Sequence, residues 1–246
     1  MLSFSVINWF AWSPNLISKE DWLAWSKNPI APSGNSKIAT TTVPSTLKRR
    51  CSHFNKMALE VSNQSTKKNP IDYAVFCSQH GDLNQTIKLL EELCDKTPLS
   101  PTRFSQSLHN ASTGLFSIIN KLQENMNSLA AGENTFLVGM LEIITWLKLN
   151  PNKTALLTMS DEYIPEEYQS LNIKNNNEYA IALLLRNPPL NQKTISLTLE
   201  NCCEKTSNKN LPQALEFLAW LLQPIKKNLL SQNTKHQVFT WNKKQL

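Results

Sequence analysis

The chain has 246 residues, 41% of them hydrophobic, and a formal net charge of +6 at pH 7. A chain of this length buries a substantial core, and this composition is ordinary for a globular protein, so disorder along the whole chain is excluded. A membrane span is excluded too, because even the apolar run Phe136–Leu147 is interrupted by Glu142.

Cysteine and glycine spacing excludes several kinds of site. The five cysteines form no C-x-x-C pair, and the adjacent Cys202 and Cys203 suit neither a metal site nor a disulfide framework. The five glycines are too dispersed for a phosphate-binding loop.

No basic residue precedes Lys19, so we expect no secretory leader. We therefore expect a cytoplasmic protein with reduced thiols, no metal and no cofactor.

The first elements are read from local patterns. Clustered Phe, Val, Ile and Trp predict a strand over Leu2–Trp12. Ser18, followed by acidic residues, predicts the N-terminal cap of a short helix that contains Trp22 and Trp25. The Pro-, Ser- and Thr-rich segment Asn28–Ser45 has no period, which indicates an irregular connection.

The remaining elements alternate along the chain. Helical spacing of apolar residues predicts helices over Leu47–Ser62, Asn84–Cys94, Asn110–Leu122, Asn134–Leu149 and Leu211–Leu222. Strands are predicted over Pro70–Cys77, Asn127–Ala131, Lys153–Met159, Tyr179–Leu185 and Ile195–Leu199, and a short strand or extended tail over Gln237–Trp241. We expect Ile195–Leu199 to pair with Tyr179–Leu185, and Pro98–Phe104 to be extended. This alternation predicts an α/β fold with a mostly parallel or mixed sheet covered by helices.

Several segments resemble one protein family. The segments FSVINWFAWSPNL, LKRRCSHFNKMALE, VFCSQHGDLNQTIKLLEEL, PLSPTRFSQSLHNASTGLFSI, LAAGENTFLVGMLE and LLTMSDEYIPEEY together span Leu2–Tyr168. They resemble the beta-ketoacyl synthase chain length factors, ketosynthase-like proteins known from aryl polyene biosynthesis. The most specific pieces are His109-Asn110-Ala111-x-x-Gly114 and Ala131-Gly132-Glu133.

The resemblance implies a thiolase-like fold, mainly its N-terminal half, as a single truncated domain over residues 1–246. Residues 29–46 would be an irregular connection, and residues 200–246 a divergent C-terminal helix and tail. In full ketosynthases a second copy of this α/β unit supplies two catalytic histidines. Here only His236 follows His109, and it lies in a lysine-flanked segment. The resemblance therefore implies that the catalytic histidines are missing.

The nucleophile of the family is missing as well. Ketosynthases acylate a Cys at a helix N-terminus, where the helix dipole and free N–H groups stabilise the thiolate. Ala130–Glu133 occupies that place here, and no cysteine lies between Cys94 and Cys202. We therefore expect a protein that is not an enzyme.

A noncatalytic ketosynthase-like chain implies a partner. We expect a heterodimer with an active beta-ketoacyl synthase, formed through Asn127–Ala131, and transient contact with an acyl carrier protein. Its function would be to shape the acyl tunnel of the partner in polyene or fatty-acid-like biosynthesis. The residues expected to form the interface or the acyl pocket are Gln106, Leu108, His109, Asn110, Ala111, Gly114, Phe116, Ala130, Ala131, Gly132 and Glu133.

Some of these patterns also have other interpretations. His109 could act as a base. We favour a structural interpretation, in which Asn110 caps the next helix and His109 packs at a subunit boundary. Ser78 or Ser107 with a nearby His would suit a thioester hydrolase or acyltransferase. The segment Cys77–Asp82, which contains Ser78, is better explained as a strand end, a turn and a helix cap. The charge of +6 would suit a module that binds RNA or a membrane surface, but no nucleic-acid-binding signature accompanies it.

Overall fold

A computed structural model describes residues 2–67, 69–169, 176–187, 194–200, 211–224, 229–233 and 238–244. The strands in these ranges are β1 Leu2–Trp12, β2 Tyr73–Cys77, β3 Asn125–Leu129, β4 Thr154–Asp161, β5 Tyr179–Arg186, β6 Thr194–Glu200, β7 Leu229–Asn233 and β8 Val238–Lys244. The helices are α1 Lys19–Lys27, α2 Ser45–Lys48, α3 His53–Thr66, α4 Leu83–Cys94, α5 Pro101–Ser107, α6 Ala111–Asn120, α7 Thr135–Leu149, α8 Glu166–Gln169 and α9 Gln213–Leu222.

All eight described strands form one mixed sheet in the order β3-β2-β4-β5-β1-β6-β8-β7. β2 lies parallel to β3 and β4, whereas the other neighbours are antiparallel. The chain starts near the middle of the sheet, because β1 pairs with β5 over most of its length and with β6 through Leu2–Phe4. The α/β class and the mixed sheet predicted from the sequence are confirmed.

Helices cover both faces of the sheet. In β5, Ile181, Leu183 and Leu185 pack into the core beneath α1, α7 and α9, whereas Ala182 and Leu184 pack into the core beneath α3 and α6. Because both faces are covered, the central strands are apolar throughout rather than alternating. This explains why the unbroken apolar run Tyr179–Leu185 could be predicted as a strand.

The first helices form where the sequence supplies caps. Ser18 and Asp21 form a reciprocal capping box at the start of α1. The predicted helix Leu47–Ser62 is wrong in its first half, because the chain forms the short α2 and then restarts at Ser52, whose side chain accepts from the Asn55 amide at 3.1 Å. The basic residues Lys48, Arg49 and Arg50 therefore lie before α3 and not in its first turn.

Three other predictions differ from the structure. Pro98–Phe104 is not extended throughout, because Ser100 caps α5 and Pro101 occupies its first turn, where a missing N–H is tolerated. β6 pairs with β1 and β8, not with β5, both of whose edges are taken by β4 and β1. Strand β7 was not predicted from the sequence.

Two burial expectations are also corrected. The helical spacing over Asn110–Leu122 predicts that Leu115, Ile118 and Ile119 pack inward, but Ile118 is 65% exposed, whereas Leu115 is buried. The acidic pair Asp161-Glu162 follows a predicted strand, and the sequence alone favours a solvated loop there. Instead Asp161 is the last residue of β4, and both side chains are buried. No helix in the described ranges combines the length and apolar character needed to cross a membrane.

Candidate functional site

Strand β3 forms one edge of the sheet. It pairs only with β2 among the described strands, with Asn127 opposite Val75. The Leu129 carbonyl accepts from the Ser78 amide at 3.2 Å, so the backbone of Leu129 faces β2. Backbone groups alternate direction along a strand, and those of Met126 and Ser128 therefore face away from the sheet. The strand begins two residues earlier than the predicted Asn127–Ala131.

The turn after β3 leads through a 3-10 turn, Gly132–Asn134, into α7. Gly132 has a φ of +58°, in the left-handed region that favours glycine. The Thr135 hydroxyl closes the turn, because it accepts from the Ala131 amide at 2.9 Å and donates to the Gly132 carbonyl at 2.7 Å. Ala130, Gly132 and Glu133 are exposed, and nothing in this window has a side-chain thiol.

The segment between α5 and α6 contains the next group of predicted residues. His109 Nε2 lies 3.2 Å from the Ser78 carbonyl, and since a carbonyl only accepts, Nε2 carries the proton. His109 therefore bridges to the turn after β2 and does not offer this nitrogen as a base. Leu108 and Asn110 are exposed. Asn110 occupies the N-cap position of α6, but its side chain makes no capping hydrogen bond.

A surface depression of about 530 Å³ lies between α6 and the open edge of β3. Asn110 and Gly114 line one side of it, and Met126 and Ser128 line the other. The hydroxyls of Thr113 and Ser128 join the two sides at 2.6 Å. The structure thus brings two of the predicted residues together with the edge strand.

Phe116 does not belong to this surface. It is 1% exposed and packs against Phe76 of β2, with ring centroids 5.3 Å apart. Its place in the α6 sequence suggested a pocket residue, but the helix turns it into the core. Gln106 is half-buried, and its carbonyl accepts from Asn55 Nδ2 at 3.0 Å.

Cys77 is the described cysteine that lies next to the end of β3, because it pairs with Leu129 in the sheet. Its side chain is buried against α7, where Gly139 leaves room for the thiol. Burial, followed by the nearby carboxylates of Glu142 and Asp161, raises the pKa of Cys77 far above its ordinary value. Cys77 therefore remains a thiol and packs as a small hydrophobe. Cys202, Cys203 and His236 lie outside the described residues.

The turn Ser78–Asp82 is organised by a buried carboxylate. Asp161 Oδ1 accepts from the Ser78 hydroxyl at 2.7 Å and from the Gln79 amide at 2.9 Å. Burial raises the pKa of Asp161 to about 6. Asp82 then caps α4 by accepting from the Gln85 amide. The strand end, turn and helix cap expected from the sequence are present.

Two residues that organise this region were missed in the sequence. Asn55, fully buried in α3, accepts from the Ser112 hydroxyl at 2.6 Å and donates to Gln106, so it joins α3 to α5 and α6. Asp161 was assigned to a solvated loop. The signal available for Asp161 was an acid at the end of the apolar run of β4. Asn55 had no such signal, because its partners lie 51 and 57 residues away.

Comparison with solved structures gives the fold a context. The chain is 26% identical to a chain in the complex of a ketosynthase with its chain length factor from Xenorhabdus doucetiae, covering 98% of this chain and 100% of that one with a TM-score of 0.83. The ishigamide ketosynthase/chain length factor matches with a TM-score of 0.72 at 11% identity, over 100% of both chains.

A complex of a type II polyketide synthase acyl-carrier protein with its ketosynthase matches with a TM-score of 0.73 at 9% identity, over 99% of both chains. These last two similarities concern the fold alone. No curated protein sequence matches significantly. A family model for the beta-ketoacyl synthase N-terminal domain matches residues 22–242, well beyond the segments that carried the sequence resemblance. With its mixed sheet and the edge strand that leads into α7, this chain belongs to the beta-ketoacyl synthase N-terminal domain family.

Proposed function

We propose that this chain is a noncatalytic ketosynthase-like subunit, a chain length factor, that pairs with an active beta-ketoacyl synthase and shapes its acyl tunnel. The observation that carries the proposal is the combination of an open sheet edge at β3 with a following turn that has no nucleophile. The expected setting is polyene or fatty-acid-like biosynthesis, in which an acyl carrier protein makes transient contact with the complex.

The open edge supports a partner strand. The outward backbone groups of Met126 and Ser128 pair with no other described strand, and unpaired edges favour pairing with a second chain. The Ser128 N–H donates to the exposed side chain of Asn127 at 2.9 Å, a local contact that a partner strand would replace. The adjoining depression would extend the same surface. Phe104, Leu108 and Ile118, on the neighbouring α5 and α6 region, are large apolar residues that are 56%, 47% and 65% exposed. Burial of such residues against a partner is favourable.

The turn after β3 supports a noncatalytic role. Its side chains cannot be acylated at a thiol, and the Ala131 amide already donates to Thr135. The nearest described thiol in the sheet, Cys77, is buried and held neutral. A condensing reaction would therefore use a thiol of the partner.

The serine-hydrolase alternative has little support. Ser78 is 2% exposed, and its hydroxyl donates to Asp161 rather than to a histidine. The cavity next to Asp161 has a volume of about 10 Å³, room for roughly one water molecule. Ser107 donates to the Phe104 carbonyl at 2.9 Å. Neither hydroxyl donates to a histidine, the base that this alternative requires.

The binding-module alternative is weakened because two of the basic side chains it would use contact this chain itself. Lys48 donates to the Thr40 carbonyl at 2.8 Å. Lys243 donates to the carbonyls of Trp220, Leu221 and Gln223 at the end of α9. These two lysines therefore bind backbone carbonyls of this chain.

The test is co-expression with the beta-ketoacyl synthase encoded beside this chain, followed by size-exclusion chromatography and assay of the condensation product. We expect the two chains to co-elute and the synthase to require this chain. Ser128→Pro removes an outward N–H that donates only to the adjacent, exposed Asn127 side chain and not to β2, so this chain should fold but lose the complex.

Ser128→Ala is the matched control, because it removes the same hydroxyl and keeps the N–H. We expect it to co-elute like the unmodified chain. A synthase that is fully active alone and does not co-elute would sink the proposal. A complex that survives Ser128→Pro would show that β3 is not the pairing strand.

A further inference from the structure

Four ionisable side chains from four separate segments meet near the turn that follows β2. His53 begins α3, Asp82 caps α4, Glu162 directly follows β4 and Glu178 directly precedes β5. One ligand atom from each of His53, Glu162 and Glu178 lies within 4.8 Å of the others. His53 Nε2 and Glu178 Oε1 are 2.8 Å apart.

The cluster is rich in carboxylates. Glu162 is 9% exposed, and burial followed by repulsion from Asp82 raises its pKa to about 7. Asp82 is 3% exposed, and its Oδ2 makes no hydrogen bond of good geometry among the described residues, although the Ser52 hydroxyl lies close enough to stabilise the carboxylate. Lys88 offsets part of the charge of Asp82. Three carboxylates, Asp82, Glu162 and Glu178, thus lie close together with little solvent around Asp82 and Glu162, an environment that a cation would stabilise.

The donor set matches the chemistry of zinc. Imidazole nitrogen and glutamate oxygen bind Zn²⁺ at about 2.0–2.2 Å, which places ligand atoms of a tetrahedral site about 3.3–3.6 Å apart. The atoms of His53, Glu162 and Glu178 need to move by only about an ångström to reach that spacing.

Neighbouring groups suit such a site as well. Asn84 Nδ2 donates to Glu162 Oε2 at 2.9 Å and orients this carboxylate, as outer hydrogen bonds do in metal sites. The His53 ring stands edge-on against Trp12, with ring centroids 5.9 Å apart. The side chains of His53 and Glu178 are 32% and 13% exposed, so an ion can reach them from solvent.

We propose that His53, Glu162 and Glu178 bind a divalent cation of the zinc type, with Asp82 beside them as a further carboxylate. The ion links the start of α3 to the end of β4 and the start of β5, and so holds this helix against the sheet. This site is independent of the proposed partner function. It departs from the expectation of no metal, because its ligands are too far apart in the sequence to form a recognisable motif.

The experiment is isothermal titration of the full-length, metal-stripped chain with ZnCl₂. We expect one site of micromolar or tighter affinity, and His53→Gln or Glu178→Gln should weaken it at least tenfold. His109→Gln is the matched control, the same change at a half-buried histidine elsewhere, and should bind like the unmodified chain. Saturating Zn²⁺ should also raise the Tm of the chain by several degrees and leave the Tm of the two ligand variants unchanged.

Zinc X-ray absorption on the unmodified chain gives a second measurement that does not depend on a variant folding. A shell of nitrogen and oxygen with one imidazole supports the proposal, whereas sulfur ligands would overturn it. Absence of binding to the unmodified chain, or equal binding by the His53→Gln and Glu178→Gln variants, would also overturn it. In either case His53 and Glu178 form only an ion pair.

Discussion

Gly139 of α7 packs directly against the thiol of Cys77 at the end of β2. A Cβ at Gly139 would overlap Cys77 Sγ and would lie 3.0 Å from Leu157 Cδ1. The missing side chain lets the helix backbone approach the sheet beside the edge strand. Close packing of this kind leaves no spare volume in a protein core.

Gly139→Ala should therefore lower the free energy of unfolding by about 1–3 kcal/mol, because the new methyl group has to displace Cys77 or Leu157. Urea denaturation measures this loss. Gly114→Ala is the control, since a Cβ there meets nothing within 4 Å and alanine favours a helix by about 0.5–1 kcal/mol. Equal stability of Gly139→Ala and the unmodified chain would contradict the close approach.

Asn55→Ala should cost about 2–3 kcal/mol of stability, because it leaves the Ser112 hydroxyl and the Gln106 carbonyl without their buried partner. Asn125→Ala, at an exposed position, should change stability by less than about 0.5 kcal/mol. Chemical denaturation compares the two. Faster amide hydrogen exchange across α5 and the start of α6 is expected only in Asn55→Ala, and its absence would argue against the anchoring role of Asn55.

Glu60 should make the stability of this chain depend on acid pH. Burial opposes its charge, but hydrogen bonds from Thr41, Thr42 and Gln64 outweigh burial and hold the pKa of Glu60 below 4.5. The bound carboxylate therefore stabilises the fold above pH 4.5, and this contribution is lost as the pH falls through the lowered pKa. Glu60→Gln places an amide N–H against donors and should cost about 2 kcal/mol at neutral pH.

Unfolding by guanidinium at several pH values measures the Glu60 effect. The stability difference between the unmodified chain and Glu60→Gln should shrink below pH 4.5. Glu91→Gln, at an exposed position of α4, should run parallel to the unmodified chain at every pH. A difference that stays constant with pH would contradict the prediction.

Gly114→Leu should fill the depression beside β3 without disturbing this chain, because no atom lies within 4 Å of the added Cβ. If the depression continues into the shared acyl tunnel, the complex should release shorter products or fail to assemble. Mass spectrometry of the products and size exclusion measure this. Lys27→Leu, which adds the same side chain to the exposed end of α1, should leave product and complex unchanged. A normal complex with normal products from Gly114→Leu would argue against a tunnel role.

Local patterns were enough to predict most elements. The strands β1, β4 and β5 and the helices α4, α6 and α7 have apolar content or spacing that is visible in a short window. The α5 helix was missed because two prolines suggested an extended chain, although a Ser followed by Pro also favours a helix start. The partner of β6 could not be predicted, since strand order depends on contacts between distant segments.

The candidate site was predictable only where it is continuous in the sequence. The continuous sequence from α5 to the start of α7 was enough to predict the strand now seen at the sheet edge and the following turn without a thiol. The place of Phe116 depended on which side of α6 meets β2, and the helix pattern alone does not distinguish core from pocket. Asn55 lies 51 and 57 positions from its partners, and His53 precedes Glu162 and Glu178 by more than 100 positions, so no local motif indicates either cluster.

The position of β1 has a consequence for how the chain folds during synthesis. Both neighbours of this strand, β5 and β6, come from residues 179–200, so β1 has no sheet partner until the segment that follows residue 178 has been made. Pairing over such sequence separations is slow because a long loop has to close first. Until then Leu2–Trp12 is an apolar segment without a partner, a typical target for chaperones on the emerging chain.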